Sequence, residues 1–173
     1  MINPFEFDAK VAVEAILLLA DKSQDPTFHD IAKLLYLADR LHLQRYGRLI
    51  CGDDYVAMKH GPVASGIYDM LKAIRYGHSL HHFPELKDAF QVNGYTVIPL
   101  RSPDLEWLSD SDVECLTEAI DVYDHLSFNQ LTELSHDDAW QSADQDDFIS
   151  LEAIVRSVGN SNQLLEHLKD PHP

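Results

Sequence analysis

Apolar residues recur at helical spacing along most of this chain. Phe7, Val11, Ala15 and Leu18 form a first stripe, widened by Ala12, Ile16 and Leu19, and predict a helix over about residues 4–20. The polar run 21–26 ends it, with Pro26 marking the break. A second helix starts at Thr27, whose hydroxyl can accept a first-turn N–H, with Asp30 three residues on as in a capping box. Its apolar line is Ile31, Leu34, Leu35, Ala38 and Leu41, and Gly47 stops it by accepting a left-handed conformation. Residues 49–58 read as an extended segment, from the Gly52-Asp53-Asp54 turn and the β-preferring Tyr55-Val56. Pro62 is expected at the first position of a third helix, where its missing N–H costs nothing; that helix runs to about Tyr76 and Gly77 ends it. After a loop at 78–87, Phe90-Gln91-Val92 and Tyr95-Thr96-Val97-Ile98 flank Asn93-Gly94, predicting a hairpin with a type I′ turn, and Pro99 favours an edge strand.

The remaining third is helical by the same criterion. Ser109 with Asp112 and Ser127 with Gln130 each look like a capping box. Phe148, Leu151, Ile154, Val155 and Val158 form a further stripe over residues 148–158, closed by Gly159, and residues 162–168 suggest a last turn or two. The expected fold class is therefore mainly α (α+β): a helical domain with a small antiparallel hairpin or three-stranded sheet, covering residues 1–168, with 169–173 as a loose tail.

The chain is 173 residues with 45% hydrophobic positions, enough for one core, and no apolar run reaches the roughly 20 residues a membrane helix needs. No positive segment opens the sequence, so a secretory signal is not expected, and two cysteines, Cys51 and Cys115, make neither a disulfide framework nor a zinc spacing. These features predict a cytoplasmic protein. Charge is distributed unequally: residues 1–101 carry 11 basic and 12 acidic groups, while residues 102–173 carry 2 and 17. The acidic second part disfavours nucleic-acid phosphates and suits a basic protein partner or a solvated surface. Arg40, Arg45, Arg48, Lys59, Lys72 and Arg75 are expected to form an opposing basic patch.

Three blocks resemble the Panacea domain family, also called SocA-like. They are Lys33-Leu34-Leu35-Tyr36-Leu37-Ala38-Asp39-Arg40-Leu41-His42, the segment from Tyr46-Gly47-Arg48 through Lys59-His60-Gly61-Pro62-Val63, and the stretch from Leu126-Ser127-Phe128 through His136-Asp137-Asp138-Ala139-Trp140. They stand in the family's order within residues 5–158. The resemblance implies an antitoxin of a prokaryotic or phage toxin–antitoxin pair, which neutralises a toxin encoded by an adjacent gene through direct binding. It also implies two alternatives: an adaptor that hands a bound protein to a protease or unfoldase, and a DNA-binding regulator. The near-neutral first part and acidic remainder argue against the last.

The residues of the signature carry their own physical reading. Tyr36, Asp39 and His42 project from roughly one side of the second helix, punctuated by Lys33, Arg40 and Arg45, which predicts either a contact surface or an internal network bonding to the Gly61-Pro62 turn. Lys59-His60 before Gly61-Pro62 lacks the spacing of a phosphate loop. His78, His81 and His82 lack a second ligand cluster, so no metal and no cofactor is expected. No nucleophile–base–orienter set is evident, so an enzyme is not expected. His136 is expected to bond locally while Trp140 docks into the core. Tyr46, Arg48, Tyr55, Tyr68, Tyr76, Phe83 and Trp107 are candidates for partner contact, because interfaces favour these residue types. The candidate partner-binding or signature network is Lys33, Tyr36, Asp39, Arg40, His42, Tyr46, Lys59, His60, Gly61, Pro62, Tyr68, His136 and Trp140.

Overall fold

The structure, a computed structural model, describes residues 3–170. Its first helix, α1 (Ala9–Lys22), starts later than the apolar stripe suggests. The Asp8 carboxylate accepts hydrogen bonds from the N–H groups of Lys10 and Val11, both at 3.1 Å, and so satisfies donors a helix start leaves open. Asn3 donates to Asp54 at 3.0 Å, ahead of the helix. The second helix, α2 (Phe28–Tyr46), lies where expected, with Thr27 accepting from the Asp30 N–H and Gly47 closing it at φ +74°.

The extended segment becomes the middle of a sheet. Strand β1 (Tyr55–Met58) pairs antiparallel with β2 (Gly61–Ala64) in the register Ala57 to Pro62, leaving Lys59-His60 as a two-residue turn. The expected helix start at Pro62 is therefore wrong. Helix α3 (Ser65–Tyr76) begins three residues later and has no local side-chain cap. Its first N–H groups are satisfied from upstream: the Asp53 carboxylate accepts from Gly66 at 2.9 Å and Ile67 at 3.0 Å. That distant cap frees Pro62 to join a strand.

Strands β3 (Phe90–Asn93) and β4 (Thr96–Pro99) form the second, two-stranded sheet. Asn93 pairs with Thr96, so the turn is Gly94-Tyr95 rather than Asn93-Gly94, and only Gly94 has positive φ; the turn is not type I′. The loop at 78–87 carries two short 3₁₀ turns, Leu80–His82 and Pro84–Leu86.

Helices α4 (Asp110–Tyr123) and α5 (Phe128–Ser135) both open with complete capping boxes, Ser109 with Asp112 and Ser127 with Gln130. A short α6 (Asp138–Gln141) follows. The expected helix at 148–158 is shortened: Phe148–Ile149 form β5, which pairs with β1 on the side away from β2, and Ser150 then caps α7 (Leu151–Arg156). Helix α8 (Ser161–Lys169) reaches into the predicted loose tail, of which 171–173 lie outside the described residues. The fold is thus mostly helical with two small antiparallel sheets, as the pattern indicates, and no helix among the described residues is long and apolar enough to cross a membrane.

Helix α2 is the axis of the core. It packs on α4 along one side, on β2 and α5 along another, and on α1 and α7. Leu34, Leu35, Tyr36 and Leu43 are buried with Ile16, Leu17 and Leu19 of α1 and Met70 of α3 in one continuous cluster. Tyr55, a candidate for partner contact, sits inside this cluster at 1% exposure. Both thiols are buried, and burial holds Cys51 well above its ordinary pKa and pushes Cys115 up to about 11.

Gly61 fixes how closely β2 approaches α2. Its φ is +119°, and a Cβ there would meet the Ser135 hydroxyl and lie 2.7 Å from Lys33 Cε. Gly61→Ala should destabilise the fold by about 2 kcal/mol or more. Urea denaturation of the two chains checks this, a shifted midpoint with unchanged slope being the expected result.

Candidate functional site

Helix α2 turns a row of polar groups inward, and each meets a different part of the chain. The Asp39 carboxylate accepts the Ile50 N–H at 2.7 Å and the Tyr55 hydroxyl at 2.6 Å. His42 places Nδ1 2.9 Å from the Arg48 carbonyl and Nε2 2.9 Å from the Ser111 hydroxyl, with Asp112 at 3.3 Å. Arg48 bonds the same Asp112 at 2.8 Å. Farther round the helix, the Tyr36 hydroxyl donates to Asp137 at 2.7 Å, and Arg40 donates to the same carboxylate at 3.0 Å and to the Ser157 carbonyl at 2.9 Å. Trp140 Nε1 donates to the Met58 carbonyl at 2.8 Å, and its ring stacks on His136 at 3.7 Å. The three signature blocks, distant in sequence, are thereby joined.

Burial sets the protonation of this network. It raises the Asp39 pKa to about 7 against the opposing bonds from Tyr55 and Ile50, raises those of Tyr36 and Tyr55, and lowers that of His42. At Glu14, burial also works against the charge, but the two-bond pair with Arg101 and the Asp104 N–H outweigh it and hold the carboxyl below its usual value.

Beside the network lies a cleft of about 690 Å³, of a size typical for ligand sites. The start of α2, the β1–β2 turn, α3, the β3–β4 turn and the start of α5 enclose it. Its lining is mainly apolar. At its mouth stand Tyr95, 58% exposed, and Phe128, 48% exposed. The Phe128 ring stacks on His29 at 3.8 Å and meets His60 edge-on at 5.2 Å, while the His29 Nε2 is 2.9 Å from the Thr132 hydroxyl. Lys33 forms part of the floor: it is 1% exposed, and its ammonium donates to the Pro62 carbonyl at 2.8 Å. Burial lowers its pKa to about 7.

The predicted site residues thus separate into groups. Lys33, Lys59, His60, Gly61 and Tyr68 line the cleft, and the Pro62 carbonyl anchors its floor. Tyr36, Asp39 and His42 lie inside the protein as a network and not on a contact surface. It is Lys33, and neither Asp39 nor His42, that bonds the Gly61-Pro62 turn. Arg40 is held by Asp137, Tyr46 donates to Glu114 at 2.5 Å, and His136 and Trp140 pack on each other. The expected basic patch does not form: Arg45 pairs with Glu118 at 2.7 Å, Arg48 with Asp112, and Lys72 with Asp69 at 3.5 Å. Among the described residues, no group of three His, Cys, Asp or Glu is placed to hold a metal. Sequence reasoning missed His29, Tyr95 and Phe128 as cleft residues. Tyr95 follows the Asn93-Gly94 signal and Phe128 follows the Ser127 cap, so both positions pointed to an exposed aromatic.

Residues 31–141 match the family model described as "Antitoxin SocA-like, Panacea domain". No curated protein and no solved structure matches the chain.

Two outcomes follow from the buried groups. Asp39→Ala leaves the Ile50 N–H and the Tyr55 hydroxyl without an acceptor and should cost about 2–4 kcal/mol in chemical denaturation. Lys33, with a pKa lowered from 10.5 to about 7, holds a proton in the unfolded chain that the folded chain has lost between those values. Its contribution to stability therefore rises with pH from about 7 towards 10 and is smallest below 7. Denaturation curves of the parent and Lys33→Met across that range should show the parent gaining steadily on the variant.

Proposed function

The chain belongs to the SocA-like Panacea domain family, and we propose that it acts there as an antitoxin, neutralising a partner toxin by binding it directly. The observation that carries this reading is the cleft: an apolar-lined recess flanked by exposed Tyr95 and Phe128, in a molecule whose arginines are otherwise mostly tied to its own carboxylates. Aromatic side chains at the mouth of a recess are the residue type that anchors protein partners.

The site supports binding rather than bond-making. Both thiols are buried and held protonated at neutral pH. The carboxylate of Asp39 and both ring nitrogens of His42 are taken up by structural hydrogen bonds. The paired arginines equally disfavour a phosphate-tracking surface, and the 17 acidic groups of residues 102–173 oppose one. Neutralisation then consists of occupying a surface the toxin needs, in a one-to-one complex encoded with its target.

Co-expression tests this. The product of the adjacent reading frame should arrest growth alone, and this chain should restore growth and co-purify with that product. The toxin's half-life should be unchanged by the chain; a shortened one would identify an adaptor for proteolysis instead. Continued arrest on co-expression would rule out the antitoxin reading.

A further inference from the structure

Among the described residues, several cations that lack a carboxylate partner gather at the cleft. Arg40, Arg45, Arg48, Arg101 and Arg156 are all ion-paired. Lys33 and Lys59, with no carboxylate in ion-pair reach among the described residues, both line the cleft. Arg75, likewise without one, lies 3.8 Å over the Tyr95 ring at the cleft's edge, and Lys72, paired with Asp69, lies 4.4 Å over the Tyr68 ring. His29 Nδ1 is buried without a hydrogen-bond partner, its nearest carboxylate being Asp30 at 3.9 Å. The acidic group on the lining is Asp146, which is exposed.

Lys33 is the decisive group. Lysines are almost never fully buried unless paired, yet this one is 1% exposed and has a single hydrogen bond, to the Pro62 carbonyl. An ammonium has three donors, so two remain unused. An incoming carboxylate would supply the missing counter-charge in a water-poor setting, where such a pair is strong if well formed. The occupant does not enter as an added strand at this point of the β2 edge. Pro62 offers no N–H, and its carbonyl is already taken by Lys33. Recognition falls to side chains, with the apolar walls taking residues beside the acidic one.

We propose that the cleft receives an acidic side chain of the bound toxin, carried on an apolar-flanked segment, with the carboxylate against Lys33 and Lys59 and its apolar neighbours against Phe128 and Tyr95. This rests on the antitoxin reading. It also assigns the toxin contact to a recess lined by Lys33 and Lys59 in a chain of net charge −16, and not to the acidic helices.

The test uses the whole chain and, as probe, the full product of the adjacent reading frame, with affinity read by biolayer interferometry. Lys59→Glu and Phe128→Ala alter exposed side chains, so their melting temperatures should match the parent, while each weakens binding by roughly tenfold or more. Lys33→Met, whose stability differs from the parent's, should weaken binding likewise, and Val122→Ser, at an exposed position of α4, should leave affinity unchanged. A Glu→Lys or Asp→Lys change at one toxin position should restore binding to Lys59→Glu. If Lys59→Glu and Phe128→Ala bind like the parent, the cleft is not the toxin site, although growth rescue still stands. If they lose affinity but no acidic toxin residue proves necessary in a neutralising Asn/Gln scan, the acidic occupant is wrong. If the parent itself does not bind, this proposal and the antitoxin reading fall together.

Discussion

A helix that buries a lysine, an aspartate, a histidine and a tyrosine within ten residues holds its place only if every one of them finds a partner elsewhere. That constraint organises the structure. Asp39 fixes the segment around Ile50 and the strand residue Tyr55, His42 fixes the start of α4, Tyr36 and Arg40 fix Asp137, and Lys33 fixes the edge of β2. Apolar packing supplies the bulk of the stabilisation, but it is tolerant of small shifts, whereas hydrogen bonds near 2.7 Å are not. The buried polar row therefore determines which arrangement of helices around α2 is the stable one.

What was legible in the sequence was what is decided locally. Thr27 and Gly47 bracket α2, and the Ser109–Asp112 and Ser127–Gln130 boxes open α4 and α5, because each signal acts within one helical turn. What was not legible depends on residues meeting across the chain. The start of α3 is set by Asp53, twelve residues upstream of Ser65, so Pro62 looked like a helix residue and is a strand residue. Phe148 looked like the first turn of a helix and instead pairs with Val56. The site divides in the same way. Lys33, Lys59, His60 and Gly61 stand out by motif, while His29, Tyr95 and Phe128 join them only when three separate elements close.

The charge asymmetry of the sequence changes meaning once folded. The acidic second part is not simply a solvated face: Asp112, Glu118 and Asp137 reach back to arginines of α2 and of the segment that follows it. Three of the six residues of the expected opposing basic patch, Arg40, Arg45 and Arg48, are consumed in those pairs. Partly exposed pairs such as Arg45–Glu118 contribute little stability, generally under 1 kcal/mol. Their larger effect is to remove Arg40, Arg45 and Arg48 as free cations, while Lys59 at the cleft has no carboxylate partner among the described residues.

The pairing of Tyr36 and Arg40 with Asp137 spans 101 and 97 residues. On the ribosome, at about 5–20 residues per second, these donors therefore emerge roughly 5–20 s before their acceptor has been translated. During that interval Tyr36 and Arg40 lack the carboxylate that holds them, while Asp39 and Lys33 already have partners nearby in sequence.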